Sequence, residues 1–191
     1  MTPVFYPALA PGAAFYAALA RCDRAGVAMR APFDKRCKLT HRYDICDTRG
    51  RLALTVPIVP PHGIPHARWT DIAISGHGRW QAVHAVTLAS AYGRTPFYEY
   101  YIDRLLPALL PDEGTPLAGQ IIAMNRAVCS ILLIDTEIDY DFDAATEPMP
   151  EPLAVPYWQI RRAEHGFMPG LSVLDLIFNL GPEAALYIRN T

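Results

Sequence analysis

Apolar side chains recur at helical spacing through the middle of the chain and at strand-like spacing in short stretches before it. Trp80, Val83, His84, Thr87, Leu88 and Ala91 repeat with a helical period, which predicts an amphipathic helix over 79–91. A second helix is predicted from just after Pro96 to about Leu110. A third opens at Pro116 and runs to about Leu133; it is apolar on most faces, so a central place is expected. Towards the start, Val4 to Tyr6 reads as a short strand. Pro11-Gly12 then opens an alanine-rich helix over 12–22, with Phe15, Tyr16 and Leu19 on its apolar side, since proline suits a helix's first turn. Gly26 ends the connection, and Val27-Ala28-Met29 reads as a second strand. Strand, helix and strand in this order outline a βαβ unit with a parallel, right-handed pair.

The strongest hairpin pattern comes next. Tyr43-Asp44-Ile45-Cys46-Asp47 alternates as a half-buried strand does, Thr48-Arg49-Gly50 is a turn, and Leu52-Ala53-Leu54-Thr55-Val56 returns. Pro57, Pro60, Pro61, Gly63 and Pro65 predict an exposed loop, and Asp71 to Ile74 another short strand. Ile134 to Tyr140 reads as an edge strand, Pro148 to Pro156 as irregular chain, and Leu171 to Leu180 as a terminal helix ended by Gly181-Pro182. There is no internal repeat or low-complexity tract. The expected architecture is a single α/β domain over residues 1–191. Its mixed sheet begins as βαβ, continues through a hairpin and is packed by several helices.

Composition narrows the function more than the fold. The 191 residues are about half apolar and carry a net charge of -2, which lacks the basic excess of a nucleic-acid binder. The charge is uneven: residues 1–51 carry nine Lys and Arg against four Asp, whereas residues 135–151 carry seven acids and no base. A basic amino-terminal third would steer an anionic substrate; alternatively, the two segments neutralise each other or face water. Cys22, Cys37, Cys46 and Cys129 have no CxxC spacing, and no leader is evident, so reduced thiols and a cytoplasmic protein are expected. The most apolar run, Ile131 to Ile134, is too short and too interrupted to predict an integral membrane segment.

Candidate chemistry concentrates in three places. Tyr92-Gly93-Arg94-Thr95-Pro96-Phe97-Tyr98-Glu99-Tyr100-Tyr101 holds four tyrosines, an arginine and a glutamate. Tyrosine pairs an apolar ring with a hydroxyl that needs a partner, so Tyr92 and Tyr98 are expected to border a pocket. Arg94 offers a rigid donor fork to carboxylate or phosphate, and Glu99 is a candidate general base; the other reading is a structural clamp. Before the hairpin, Lys35, Arg36, Lys38, His41 and Arg42 form a basic loop, of which Lys35, His41 and Arg42 are candidate substrate ligands. Cys37 lies inside it. Cations beside a thiol favour the nucleophilic thiolate, so a Cys37/His41 pair and an inert thiol are the alternatives. The third place is Glu164-His165-Gly166-Phe167, a predicted loop whose glycine permits a tight bend presenting His165 as a general base. Asp175 and Asn179 lie four apart on the next helix and share a face; Asp175 is a candidate catalytic acid or base and Asn179 a candidate ligand. His84 shares a face with Trp80 and Leu88, as a core histidine would. His62, His66 and His77 match no zinc spacing, so no metal is expected. No GxGxxG, Walker, GxSxG or HxxE pattern occurs, and no cofactor can be named; Gly12 at a helix start is a weak phosphate hint.

Several blocks taken together resemble the WbqC-like family of bacterial proteins. They are Thr40-His41-Arg42, Leu54-Thr55-Val56-Pro57-Ile58, the Ser90 to Tyr101 stretch, and His165 to Leu176 followed by Asn179-Leu180-Gly181-Pro182. They run in order from Tyr6 to Gly181. Many relatives read Arg-Asn-Arg where this chain has Thr40-His41-Arg42, and many are longer at the carboxyl end. The resemblance implies a part in O-antigen or other surface-polysaccharide biosynthesis. It also implies transfer of glycine or another acyl group from a small-molecule donor to a sugar-linked acceptor. The alternative is a non-catalytic protein that binds a small anion or assists a biosynthetic complex. The two part on geometry: convergence of Arg42, Arg94, Tyr98 and His165 in one pocket favours an enzyme.

Overall fold

A computed structural model of the chain describes residues 2–64 and 66–191; Pro65 of the predicted proline loop lies outside them. β1 (Val4–Phe5), α1 (Ala13–Ala20) and β2 (Arg24–Val27) form the expected βαβ unit, with Val4 paired to Gly26 in parallel. β7 (Glu137–Asp139) joins the other side of β2, also in parallel, so it is an edge strand as its sequence predicts. The second strand begins earlier than expected, at Arg24 rather than Val27. Gly26 therefore sits inside it rather than ending a connection. The reason is steric: a Cβ at Gly26 would lie 2.6 Å from the Phe142 ring, which covers this face of β2.

The hairpin is β3 (Arg42–Asp47) and β4 (Gly50–Thr55), closed at Asp47 and Gly50; Gly50 holds φ +109°, a conformation that glycine alone adopts readily. β5 (Ile58–Val59) and β6 (Ala73–Ile74) make a second antiparallel pair. The α/β class holds, but the strands form three separate ladders rather than one continuous sheet. The outer edge of β3 is already occupied. Ser172 donates its backbone N–H to the Asp44 carbonyl, and the Cys46 N–H donates to the Tyr92 hydroxyl, so no strand can join there.

The predicted central helices stand within two residues of their expected limits: α2 (Trp80–Tyr92), α3 (Tyr98–Leu109) and α4 (Leu117–Leu132). α4 turns one narrow face, Gly119, Ala123, Arg126 and Ser130, to solvent and buries most of the rest. Leu117, Ile121, Met124, Val128 and Leu132 are wholly enclosed, each such side chain worth about 1.5–3 kcal/mol. Its buried Asn125 accepts a hydrogen bond from the Tyr16 hydroxyl of α1 at 3.1 Å.

Two carboxyl-terminal expectations need correction. His165 ends a short helix, α5 (Arg162–His165), rather than lying in a loop. The helix α6 (Val173–Leu180) is not terminal, because α7 (Glu183–Asn190) follows directly. Pro182 does not stop the chain's helical run; it precedes the first turn of α7, where its missing N–H costs nothing. The charge asymmetry also resolves in space. β2 and β7 are neighbours, so Arg24 meets Glu137 at 3.2 Å, and Arg30 meets Asp141 at 2.9 Å and Asp143 at 3.3 Å. The basic and acidic segments thus neutralise each other in part.

Candidate functional site

A cleft beside the hairpin has a volume of about 480 Å³. The register of β3 and β4 builds one wall. Arg42 and Asp44 project from the same side of β3, and Thr55 lies directly opposite Arg42, whose Nε donates to the Thr55 Oγ1 at 2.9 Å. Arg51 of β4 reaches across to Asp44 at 3.0 Å and also donates to the carbonyls of Pro169 and Gly170. The facing wall is the Ala8–Gly12 segment with Leu39, and Lys38 and Ser172 complete the lining. Three cations thus face one carboxylate. That carboxylate belongs to Arg51, so Arg42, which is half-buried, is in no ion pair among the described residues. A guanidinium whose two Nη groups have no partner among the described residues is shaped for the paired oxygens of a phosphate or carboxylate.

The other members of the basic loop divide. His41 is buried, and its Nδ1 donates to the Val56 carbonyl at 2.9 Å, while the Val56 N–H donates back to the His41 carbonyl. Burial pushes its pKa below the ordinary value, so the ring is neutral and pins the entry of β3. Lys35 is exposed and its carbonyl accepts from the Lys38 ammonium at 2.8 Å. Cys37 faces the Thr40 hydroxyl at 3.7 Å; no Cys37–His41 hydrogen bond exists among the described residues.

A second cleft, of about 510 Å³, lies between the end of α2 and α5, lined by Thr48, Ser90, Arg94, Arg161 and Glu164. Arg94 is exposed here; His165 is not in the lining but reaches its rim, with its Nε2 at 3.2 Å from the carbonyl of Thr48, which lines the cleft. Arg161 pairs with Glu164 at 3.2 Å and keeps its Nε buried without a partner. Arg94 and the neighbourhood of His165 are therefore brought together, but Arg42 is not among them. Glu99 is exposed on α3 and lines neither cleft, and Tyr98 packs its ring on Phe178 at 5.0 Å.

Between the clefts is a buried polar network that the sequence suggested only in part. Asp175 accepts from the Tyr157 hydroxyl at 2.6 Å and from the Gln159 amide at 2.8 Å, and Tyr92 and Asn179 also hydrogen-bond to it. Burial raises its pKa against the lowering effect of these donors. Asn179 donates to the Asp175 carbonyl at 2.7 Å and accepts from the Ile160 N–H at 3.0 Å. Gln159 clasps Met168 through both its N–H and its carbonyl. Asp175, Asn179 and Tyr92 are thus brought together, enclosed rather than lining either cleft. Tyr157 and Gln159 escaped sequence reasoning because they lie in irregular chain just after the proline-rich tract, where no periodicity marks an inward side chain. His84 stands between Tyr43 and Trp80, bonded to the Tyr43 hydroxyl at 3.1 Å; burial pushes its pKa down to about 4. Among the described residues no three His, Cys, Asp or Glu cluster as metal ligands would, and no helix is long and apolar enough to cross a membrane.

Comparison with known proteins adds two findings. The description "WbqC-like protein family" applies to a match over residues 6–149, which contain the hairpin, the Arg42 cleft wall and the Tyr92–Tyr101 block. A relative in Mycobacterium tuberculosis (strain ATCC 25618 / H37Rv), "Uncharacterized protein Rv1507c", is 27% identical over 188 residues, covering 78% of this chain and 80% of its own. No solved structure matches the chain.

Proposed function

The chain belongs to the WbqC-like protein family, and from that membership we propose that it binds a small anionic intermediate of bacterial surface-polysaccharide (O-antigen) biosynthesis in the Arg42 cleft. One observation carries the reading: a half-buried guanidinium on a strand, in no ion pair among the described residues, at the wall of a 480 Å³ cleft. Arginine stays charged at every physiological pH, and its fork discriminates planar or tetrahedral oxyanions from neutral sugars. A phosphate of a sugar-linked acceptor, or the carboxylate or phosphate of an acyl donor, suits this chemistry.

Catalytic transfer of glycine or another acyl group is the second reading, favoured by His165, which bonds the Thr48 carbonyl at the rim of the cleft that Arg94 lines. There the imidazole would take a proton from an acceptor hydroxyl while Arg94 holds an anionic group, roles familiar for general base and electrostatic clamp. The separation of Arg42 from that cleft supports the binding reading as the first. Thermal-shift screening against inorganic phosphate, nucleotide sugars, acyl-coenzyme A and glycyl donors tests both. A phosphate-bearing compound should raise the melting temperature of the wild type and not of Arg42→Gln. An equal rise in both proteins removes the Arg42 reading. If an acyl transfer is found, His165→Ala should lose turnover while keeping its melting temperature; unchanged turnover removes His165 as the base.

A further inference from the structure

The polar cleft does not end at its glycines. Beside it lies an apolar crevice of about 180 Å³, and Pro11, Gly12, Leu39 and Gly170 line both. Two of these four residues have no side chain. A Cβ on Gly12 would come within 3.0 Å of the Leu171 carbonyl oxygen, and Gly170 holds φ +71° with Pro152 at 3.0 Å from where its Cβ would be. Neither position accepts a larger residue without strain, so the two cavities share a wall of backbone and small residues.

The crevice is apolar in function as well as in composition. Phe15, Met149, Leu153, Phe167 and Leu171 form its walls and no charged residue lines it. The protons of its two tyrosine hydroxyls are already committed, Tyr157 to Asp175 at 2.6 Å and Tyr187 to the Val155 carbonyl at 2.6 Å. A ligand group entering there finds no hydrogen-bond donor in these side chains, which disfavours a sugar and favours hydrocarbon. A cavity of about 150 Å³ lined by apolar side chains takes a six-carbon group.

We infer that the ligand of this protein is bipartite, an anionic group held at Arg42 joined to a hydrocarbon group of about six carbons seated in the crevice. The inference rests on the anion-binding reading above and adds the apolar half. The shared chemistry fits two sources, an acyl thioester whose carrier bears phosphates and an isoprenoid phosphate.

Titration calorimetry of the wild-type protein with a series of n-alkyl phosphates, from methyl to decyl, tests it. Affinity should rise about fourfold for each methylene buried and level off near six carbons. Leu153→Trp, which fills the crevice, should flatten that rise and leave methyl phosphate binding unchanged. Should this variant fail to fold, the wild-type series still decides. Methyl phosphate binding with no dependence on chain length overturns the bipartite ligand and leaves the anion site standing. Failure of every phosphate to bind overturns both. Hexanoyl-coenzyme A and geranyl phosphate separate the sources, because the first places its phosphates far from the chain and the second at its end. Tighter binding of either than of its anionic half supports the inference, and no gain for both counts against it.

Discussion

His84 is held neutral by its surroundings, and that makes it a source of acid sensitivity. Its folded pKa of about 4 lies below its ordinary 6.5. Between these values the unfolded chain binds a proton that the folded chain does not, so stability is full above the upper value and is lost as the pH falls. At about 1.4 kcal/mol per pH unit the loss across the window is roughly 3 kcal/mol. His41, depressed by burial as well, acts in the same sense. Denaturant titrations across this range should show a shallower pH dependence for His84→Gln than for the wild type; parallel curves would rule out His84 as the source. Asp175 works oppositely. Its pKa is raised, so its contribution is largest when it is protonated and declines as the pH climbs through the raised value. The stability difference between Asp175→Asn and wild type should therefore move in the variant's favour as the pH is raised towards neutrality. Asp175→Ala takes the acceptor from the Tyr157 hydroxyl and from one N–H of the Gln159 amide in the interior and should cost about 3 kcal/mol, measured by urea unfolding. A cost under about 1 kcal/mol would mean that water replaces the carboxylate.

Among the elements, β2 depends on a missing side chain. Gly26→Ala would drive a methyl group into Phe142 and to 2.9 Å from Val4, and should destabilise by about 1–3 kcal/mol. Combining it with Phe142→Ala should return part of that loss, a non-additivity read from a double-mutant cycle. Strict additivity would place the cost elsewhere. The same logic joins the two longest blocks of the resemblance. Tyr92 and Tyr98 both pack on Phe178, and the Phe97 ring lies 2.5 Å from where a Cβ of Gly181 would be. These tyrosines were read from composition as a pocket wall. In the fold they cement α2 and α3 to α6, and only Arg94 and the end of α2 reach a cleft. α1 to α4, α6 and the hairpin were legible because one repeating pattern covers each, whereas α7 was missed because Gly181-Pro182 reads as a stop. α5, at four residues, has too few turns to show a period.

At the scale of the molecule, α7 closes the core. Its Ala184 and Ile188 are buried, and it packs on α1, α4 and α6. Removing residues 183–191 should expose that surface and abolish cooperative thermal unfolding; a truncated chain melting as sharply as the full one would contradict this role. The ion pairs between the basic and acidic segments are exposed and should matter little to the melting temperature, even in high salt. By itself the sequence determined the α/β class, the βαβ start, the hairpin and the identity of the family, because these depend on local periodicity and on ordered blocks of residues. It also marked Arg42, Asp175 and His165. The tertiary structure alone decided that they occupy three different settings: an open basic cleft, a buried hydrogen-bond network and the end of α5 against the hairpin turn. Those settings are made by contacts between residues far apart in the chain, such as Arg51 with Gly170 and Tyr157 with Asp175, and no spacing within one segment records which distant partner will fill a side chain's surroundings.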